Sequence, residues 1–216
     1  MRKLNLSQLV DGMIACSDNA RKIARDARTM YGRHRYSTAM ALSIFSLEEV
    51  GKVMLLFLAS HAISEGKKVD WGAFWKSWHS HDVKGAMASL LDLGIFGKDA
   101  TDLARRAIII GDLGSVREQS LYVDYSEDVW LHPKDVSRDW VLEILEAAEA
   151  LSNEVWRECK PRRREIMLRG IREGEIDVSL ETDSFLTNLK DGFQELEKQI
   201  RSINLEAMKV RGGFAA

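Results

Sequence analysis

AMALSIFSLEEVGKVMLLFLA, residues Ala39–Ala59, is an apolar run of helical length with Glu48, Glu49 and Lys52 set in its middle. On a helix, Glu48 falls on the stripe of Ala41, Ile44 and Leu55, and Glu49 on that of Leu42, Phe45, Val53 and Leu56. A helix that is apolar on every side is a buried helix. An unpaired carboxylate costs on the order of several kcal/mol to bury, so it persists only when paired, hydrogen-bonded or protonated. The charges of this segment therefore need partners, and they mark a candidate site. They also argue against reading the run as a membrane span.

Outward from this run the chain reads as all-α. It has only two prolines, Pro133 and Pro161, few β-branched clusters and repeated 3.6-residue patterning. A first helix is expected from Ser7, as N-cap, to about Tyr31, with Gly32 ending it. The second spans Tyr36 to Ser64 and stops at Gly66. A third starts near Asp70 and carries Trp71, Phe74, Trp75 and Trp78 on one face, which reads as core. If it continues, His81, Lys84, Ala88 and Leu91 extend that same face. A fourth helix is expected from Asp99 to about Tyr122, a loop over Ser126 to Val136, and a fifth helix capped by Ser137 and closed by Pro161. A turn around Gly174–Thr182 and a last amphipathic helix from about Asp183 to Met208 follow. The composition shift at Lys160–Arg164 sets the expected division: a helical core over 1–160 and a C-terminal appendage over 161–216.

A length of 216 residues suits one domain with an appendage, and the composition is that of a soluble globular protein. A net charge of -2 excludes a chain that binds nucleic acid through its overall field, so any such role falls to a local patch; no DNA-specific binding is expected. Cys16 and Cys159 stand far apart with no metal-binding spacing and read as reduced, packed thiols. No secretory pattern is visible in MRKLNLSQLVDG, and a cytoplasmic location is expected.

Three groups carry chemistry. Lys52 follows Glu48 by four residues and Glu49 by three, so it can pair with either. His81 and Lys84 prolong the aromatic face of the third helix. In REQSLYVDY, Arg117 and Asp124 fall on the seam of the fourth helix with Leu103, Ala107, Ile110, Gly114 and Leu121. A guanidinium on a buried seam needs a carboxylate, and Glu48 or Glu49 is the partner at hand. Three helices with inward charge suggest one buried polar cluster. Neither Glu-x-x-His nor HExxH spacing occurs, so no metal and no cofactor is expected. Walker A, GxGxxG and GxSxG motifs are absent as well. Lys160, Arg162, Arg163, Arg164, Arg169 and Arg172 form the one dense basic patch, a solvated face or a phosphate-contacting RNA surface.

The elements SLEEVGK (Ser46–Lys52), HDVK (His81–Lys84) and REQSLYVD (Arg117–Asp124), in this order, resemble the AbiV family of abortive-infection proteins, placed among the HEPN-like helical domains. The resemblance covers about Ser7 to Tyr125. It implies a HEPN-like antiparallel bundle, resistance to phage by shutdown of RNA or translation processes, and a phage-encoded protein or RNA as trigger or target. Its pattern points to Glu48, Glu49, Gly51, Lys52, His81, Lys84, Arg117, Tyr122 and Asp124. Related HEPN proteins often dimerise and cleave RNA with an Arg-x4-6-His motif, which implies a homodimer here. The only formal match to that motif is Arg28 to His34, at an expected helix end. A ribonuclease built on this chain would instead use His81 with Arg117 or Lys84.

Overall fold

The computed structural model describes residues 2–96, 121, 124–126, 129–131 and 136–173; for 90–96 and both strands only the backbone is described. Apart from Leu121, which is helical, the expected fourth helix from Asp99 to Tyr122 lies outside the described residues, as does the segment beyond residue 173. Helix α1 spans Leu6–Gly32, α2 Tyr36–Ser64, α3 Trp71–His79 and α4 His81–Phe96. Strands β1 (Asp124–Ser126) and β2 (Val129–Leu131) follow, then α5 (Arg138–Glu158), a 3-10 turn over Pro161–Arg163, and α6 (Arg164–Glu173). Among the described residues the chain is an all-α bundle with one small hairpin. These described residues belong to a unit spanning Met1–Ile176.

α2 is the centre. Its buried residues, Ala39, Ile44, Leu47, Val50, Val53, Leu55 and Leu58 among them, lie on every side, because α1, α4 and α5 all pack against it. Each large aliphatic chain removed from water there contributes about 1.5–3 kcal/mol. α1 fits closely because its facing side is small: Ala20, Ala24 and Ala27 are buried, and Ser46 Oγ on α2 donates to the Ala20 carbonyl at 2.9 Å. α5 supplies Val141, Ile144, Leu145, Ala148 and Leu151. No helix among the described residues is long and apolar enough to cross a membrane.

Several ends differ from expectation. Asn5, not Ser7, caps α1: its Oδ1 accepts the Gln8 amide at 2.9 Å while the Gln8 side chain accepts the Asn5 amide at 3.0 Å. This reciprocal box satisfies two otherwise orphaned donors. Ser7 Oγ accepts instead from Arg164. The third helix does not continue through His81 but is followed by a separate one. Ser80 is extended (φ -78°, ψ 123°), and its Oγ accepts the Val83 amide at 3.3 Å, which starts α4 afresh. The loop expected over Ser126–Val136 contains β2, antiparallel to β1 with Asp124 opposite Leu131. Asp124 therefore opens a strand and is not on a helical seam. Ser137 does cap α5, accepting the Trp140 amide at 3.3 Å. Past residue 160, α6 buries Leu168 and Ile171 and packs against α1 and α2.

Candidate functional site

Glu48 and Glu49 are neighbours in sequence but about 100° apart on the helix, and their surroundings differ. Glu48 is buried and faces α4. Its Oε2 lies 2.8 Å from His81 Nδ1 and 3.1 Å from Lys84 Nζ. A carboxylate accepts, so Nδ1 donates to it, and in the neutral ring Nε2 is then the acceptor nitrogen. Lys84 Nζ also lies 3.4 Å from His81 Nδ1. Both are donors toward the same oxygen, so that contact is convergence on Glu48 rather than a bond between them. Lys84 is as buried as its partner, with 7% of its side chain exposed, whereas the imidazole is 47% exposed. A sealed ion pair therefore holds an imidazole at the surface.

Gly51 makes this approach possible. A β-carbon there would stand 1.9 Å from the Lys84 carbonyl oxygen and 2.7 Å from its carbon. The backbone of α4 lies directly on α2 at this glycine, one turn after Glu48. A mid-helix glycine in an otherwise apolar run is the sequence signal for such an approach. Ser80 is the other residue that composition alone did not single out. By ending α3 and capping α4, it puts His81 and Lys84 in the first turn of a new helix. A serine followed two residues later by Asp82 is a recognisable start signal.

Glu49 is bound locally. Lys52 Nζ lies 2.5 Å from its Oε1, and the same ammonium sits 5.3 Å from the centre of the Trp78 ring. The Cys16 thiol of α1 lies near Glu49; burial, with the Glu49 charge adding to it, pushes that thiol up to about 12. Burial likewise pushes Cys159 up to about 12. Both cysteines are free and buried, as their spacing suggested. Among the described residues, then, the expected single cluster is two groups on two sides of α2. Arg117 and Tyr122 lie outside the described residues, and of Asp124 only the backbone is described. No group of three or more side chains placed to hold a metal occurs among the described residues.

The aromatic face of α3 is half-buried: Phe74 is buried, with the Trp71, Trp75 and Trp78 rings against it at 5.1–5.9 Å. The formal motif of Arg28 and His34 does not form a working pair. Arg28 grips Glu149 of α5 with Nε and NH2, which raises its pKa, and His34 Nδ1 meets the Tyr36 hydroxyl at 2.9 Å. The basic patch is partly committed. Arg164 reaches Asp11 at 2.6 Å, Glu165 at 2.6 Å and Ser7 at 2.6 Å, and Arg163 reaches Glu158 at 2.6 Å. The Arg164 hydrogen bond holds the Asp11 carboxyl below its ordinary range. Arg162 and Arg169 are exposed, without an ion pair among the described residues.

Against known families, the model described as AbiV (HEPN_AbiV) matches residues 8–153. The match spans Glu48, Glu49, Gly51, Lys52, His81, Lys84, Arg117, Tyr122 and Asp124, and stops before the basic patch. No match was found among curated proteins, and none among solved structures.

Proposed function

We propose that this chain, which belongs to the AbiV family of HEPN-type abortive-infection proteins, is a toxin-like effector of antiphage defence whose working centre is Glu48, Lys84 and His81. The observation that carries the reading is one oxygen, Glu48 Oε2, shared by a sealed lysine and a half-exposed histidine. A buried pair of this kind is weak as a source of stability and strong as a device for fixing geometry. Here it fixes which face of the imidazole looks outward and which nitrogen is basic. The effector engages its target, RNA or a protein of the translation apparatus, through this face, as a homodimer released by a phage-encoded protein or RNA. Glu49 and Lys52 support the helix beside it, and Arg117, Tyr122 and Asp124 complete the centre. The segment 161–216 is an appendage to this working core, and Arg162 and Arg169 form an auxiliary RNA surface with Arg163 and Arg164.

Phage plating on cells that express the protein tests this. His81→Ala should abolish protection, with a melting temperature within about 2 °C of wild type because a half-exposed side chain is removed. Full protection by a well-folded His81→Ala protein would sink the reading.

A second reading is a metal-independent endoribonuclease, favoured by the fixed Nδ1 proton. With Nε2 basic, His81 can take the proton of a 2′-hydroxyl, and Arg117 and Lys84 would steady the phosphate. The absence of a convincing Arg-x4-6-His pair weighs against it. Purified wild-type protein that cleaves no class of RNA, while protecting cells, would leave the binding effector standing.

A further inference from the structure

The turn between α1 and α2 ends α1 with a non-glycine residue in the left-handed region. His34 lies in the left-handed region at φ 59°, where a β-carbon crowds the backbone and glycine is favoured. The chain has a glycine two residues earlier, yet Gly32 is helical and a β-carbon on it would touch nothing within 4 Å. Glycine, the residue most often found in such a position, stands two residues earlier, and a histidine occupies this one. The surroundings hold it there: its amide donates to the Tyr31 carbonyl at 2.9 Å, the Arg35 amide to Met30 at 3.0 Å, and its ring packs edge-on to Tyr36 at 5.9 Å. These two backbone bonds are the Schellman ending of α1, with His34 in the left-handed position just past the Arg33 cap, so the helix stop presents the imidazole and its neighbours outward.

The neighbours of His34 are cationic. Arg33 and Arg35 flank the imidazole, all three are exposed, and neither arginine has an ion pair among the described residues. From the first turn of α5, Arg138 Nε donates to the Tyr31 hydroxyl at 3.2 Å, and the Tyr31 and Tyr36 rings meet edge to face at 5.4 Å. The exposed residues of the turn, Thr29, Gly32, Arg33, His34 and Arg35, include no apolar side chain, so neither a lipid surface nor an apolar protein groove finds an anchor. Guanidinium forks match phosphate oxygens, and half-buried tyrosine rings beside them offer unpaired bases a stacking surface. We infer that the α1–α2 turn is a docking site for the phosphate backbone of single-stranded nucleic acid, formed by Arg33, His34, Arg35 and Arg138. Tyr36 lies about 18 Å along α2 from Glu48, by helical rise, so the site does not rest on the role given to the Glu48 group.

The test uses the full chain and a fluorescein-labelled, mixed-sequence single-stranded RNA of about 20 nucleotides, followed by anisotropy across a salt series. Wild type should bind, and Arg33→Ala/Arg35→Ala should bind about tenfold or more weakly. Its salt dependence should fall by about 1.4 in log–log slope, for two phosphates at about 0.7 each. Both side chains are exposed, so this variant should melt like wild type. His34→Gly should melt about 2 °C higher and bind less tightly, which a purely structural histidine would not do. No binding by wild type, or equal binding by Arg33→Ala/Arg35→Ala, overturns the inference. Loss of binding in Arg162→Ala/Arg169→Ala alone overturns it too, by moving the contact to the basic patch.

Discussion

Glu48 and Glu49 share a peptide bond and a chemistry, yet one joins two helices and the other serves its own. Glu48 bonds to residues 33 and 36 positions further on, in a helix with its own cap, and both ends of its lysine pair are sealed from water. Glu49 pairs three residues along, and its partners remain in partial contact with solvent. The difference lies in what removal would leave behind. Breaking the first pair strands a charge in a dry contact, whereas breaking the second leaves a charge that water still reaches, with 15% of the Glu49 side chain exposed.

That contrast orders the expected effects. Lys84→Met leaves the Glu48 carboxylate buried without its ammonium and should cost about 3–5 kcal/mol in urea unfolding. Gly51→Ala comes next. Its new methyl meets backbone, which has no rotamer to give, so α4 must move off α2, at a cost of about 3 kcal/mol by the same measurement. A loss below about 1 kcal/mol would mean the helices are not in close contact there.

On the other side of α2, the buried thiols set an alkaline limit. An unfolded cysteine releases its proton above about 9, while folded Cys16 and Cys159 hold theirs to about 12. Stability from these groups is thus full below pH 9 and lost as pH rises toward 12, by about 1 kcal/mol per thiol at pH 10. Cys16→Ala/Cys159→Ala should flatten that decline. The smallest effect is expected from Lys52→Ala, below about 1 kcal/mol and further reduced by salt, because the pair is local and partly solvated. Equal losses for Lys52→Ala and Lys84→Met would erase the contrast.

Much of this was legible in the chain. The bounds of α2, the inward stripe of Glu48 and the i,i+3 reach of Lys52 follow from helical periodicity, which is local. Ser137 was readable as a cap for the same reason. Asn5 was missed because Ser7 is an equally good cap in isolation, and the Asn5–Gln8 reciprocity decides between them. In sequence the hairpin reads as loop, because strands of three residues are too short to show an alternating pattern. That His81 and Lys84 meet one oxygen of Glu48 depends on a helix break at Ser80 and on close packing at Gly51. Both are tertiary facts with only a serine and a glycine as local traces. The Cys16–Glu49 contact left no trace at all, since α1 and α2 had no readable register against each other.

The most direct test of the central claim is a double-mutant cycle on Glu48→Gln and Lys84→Met, read by urea unfolding. If Glu48 and Lys84 form one sealed unit, each single variant is costly, the double variant recovers much of the loss, and the coupling exceeds about 2 kcal/mol. Additive losses, with coupling under about 0.5 kcal/mol, would contradict it.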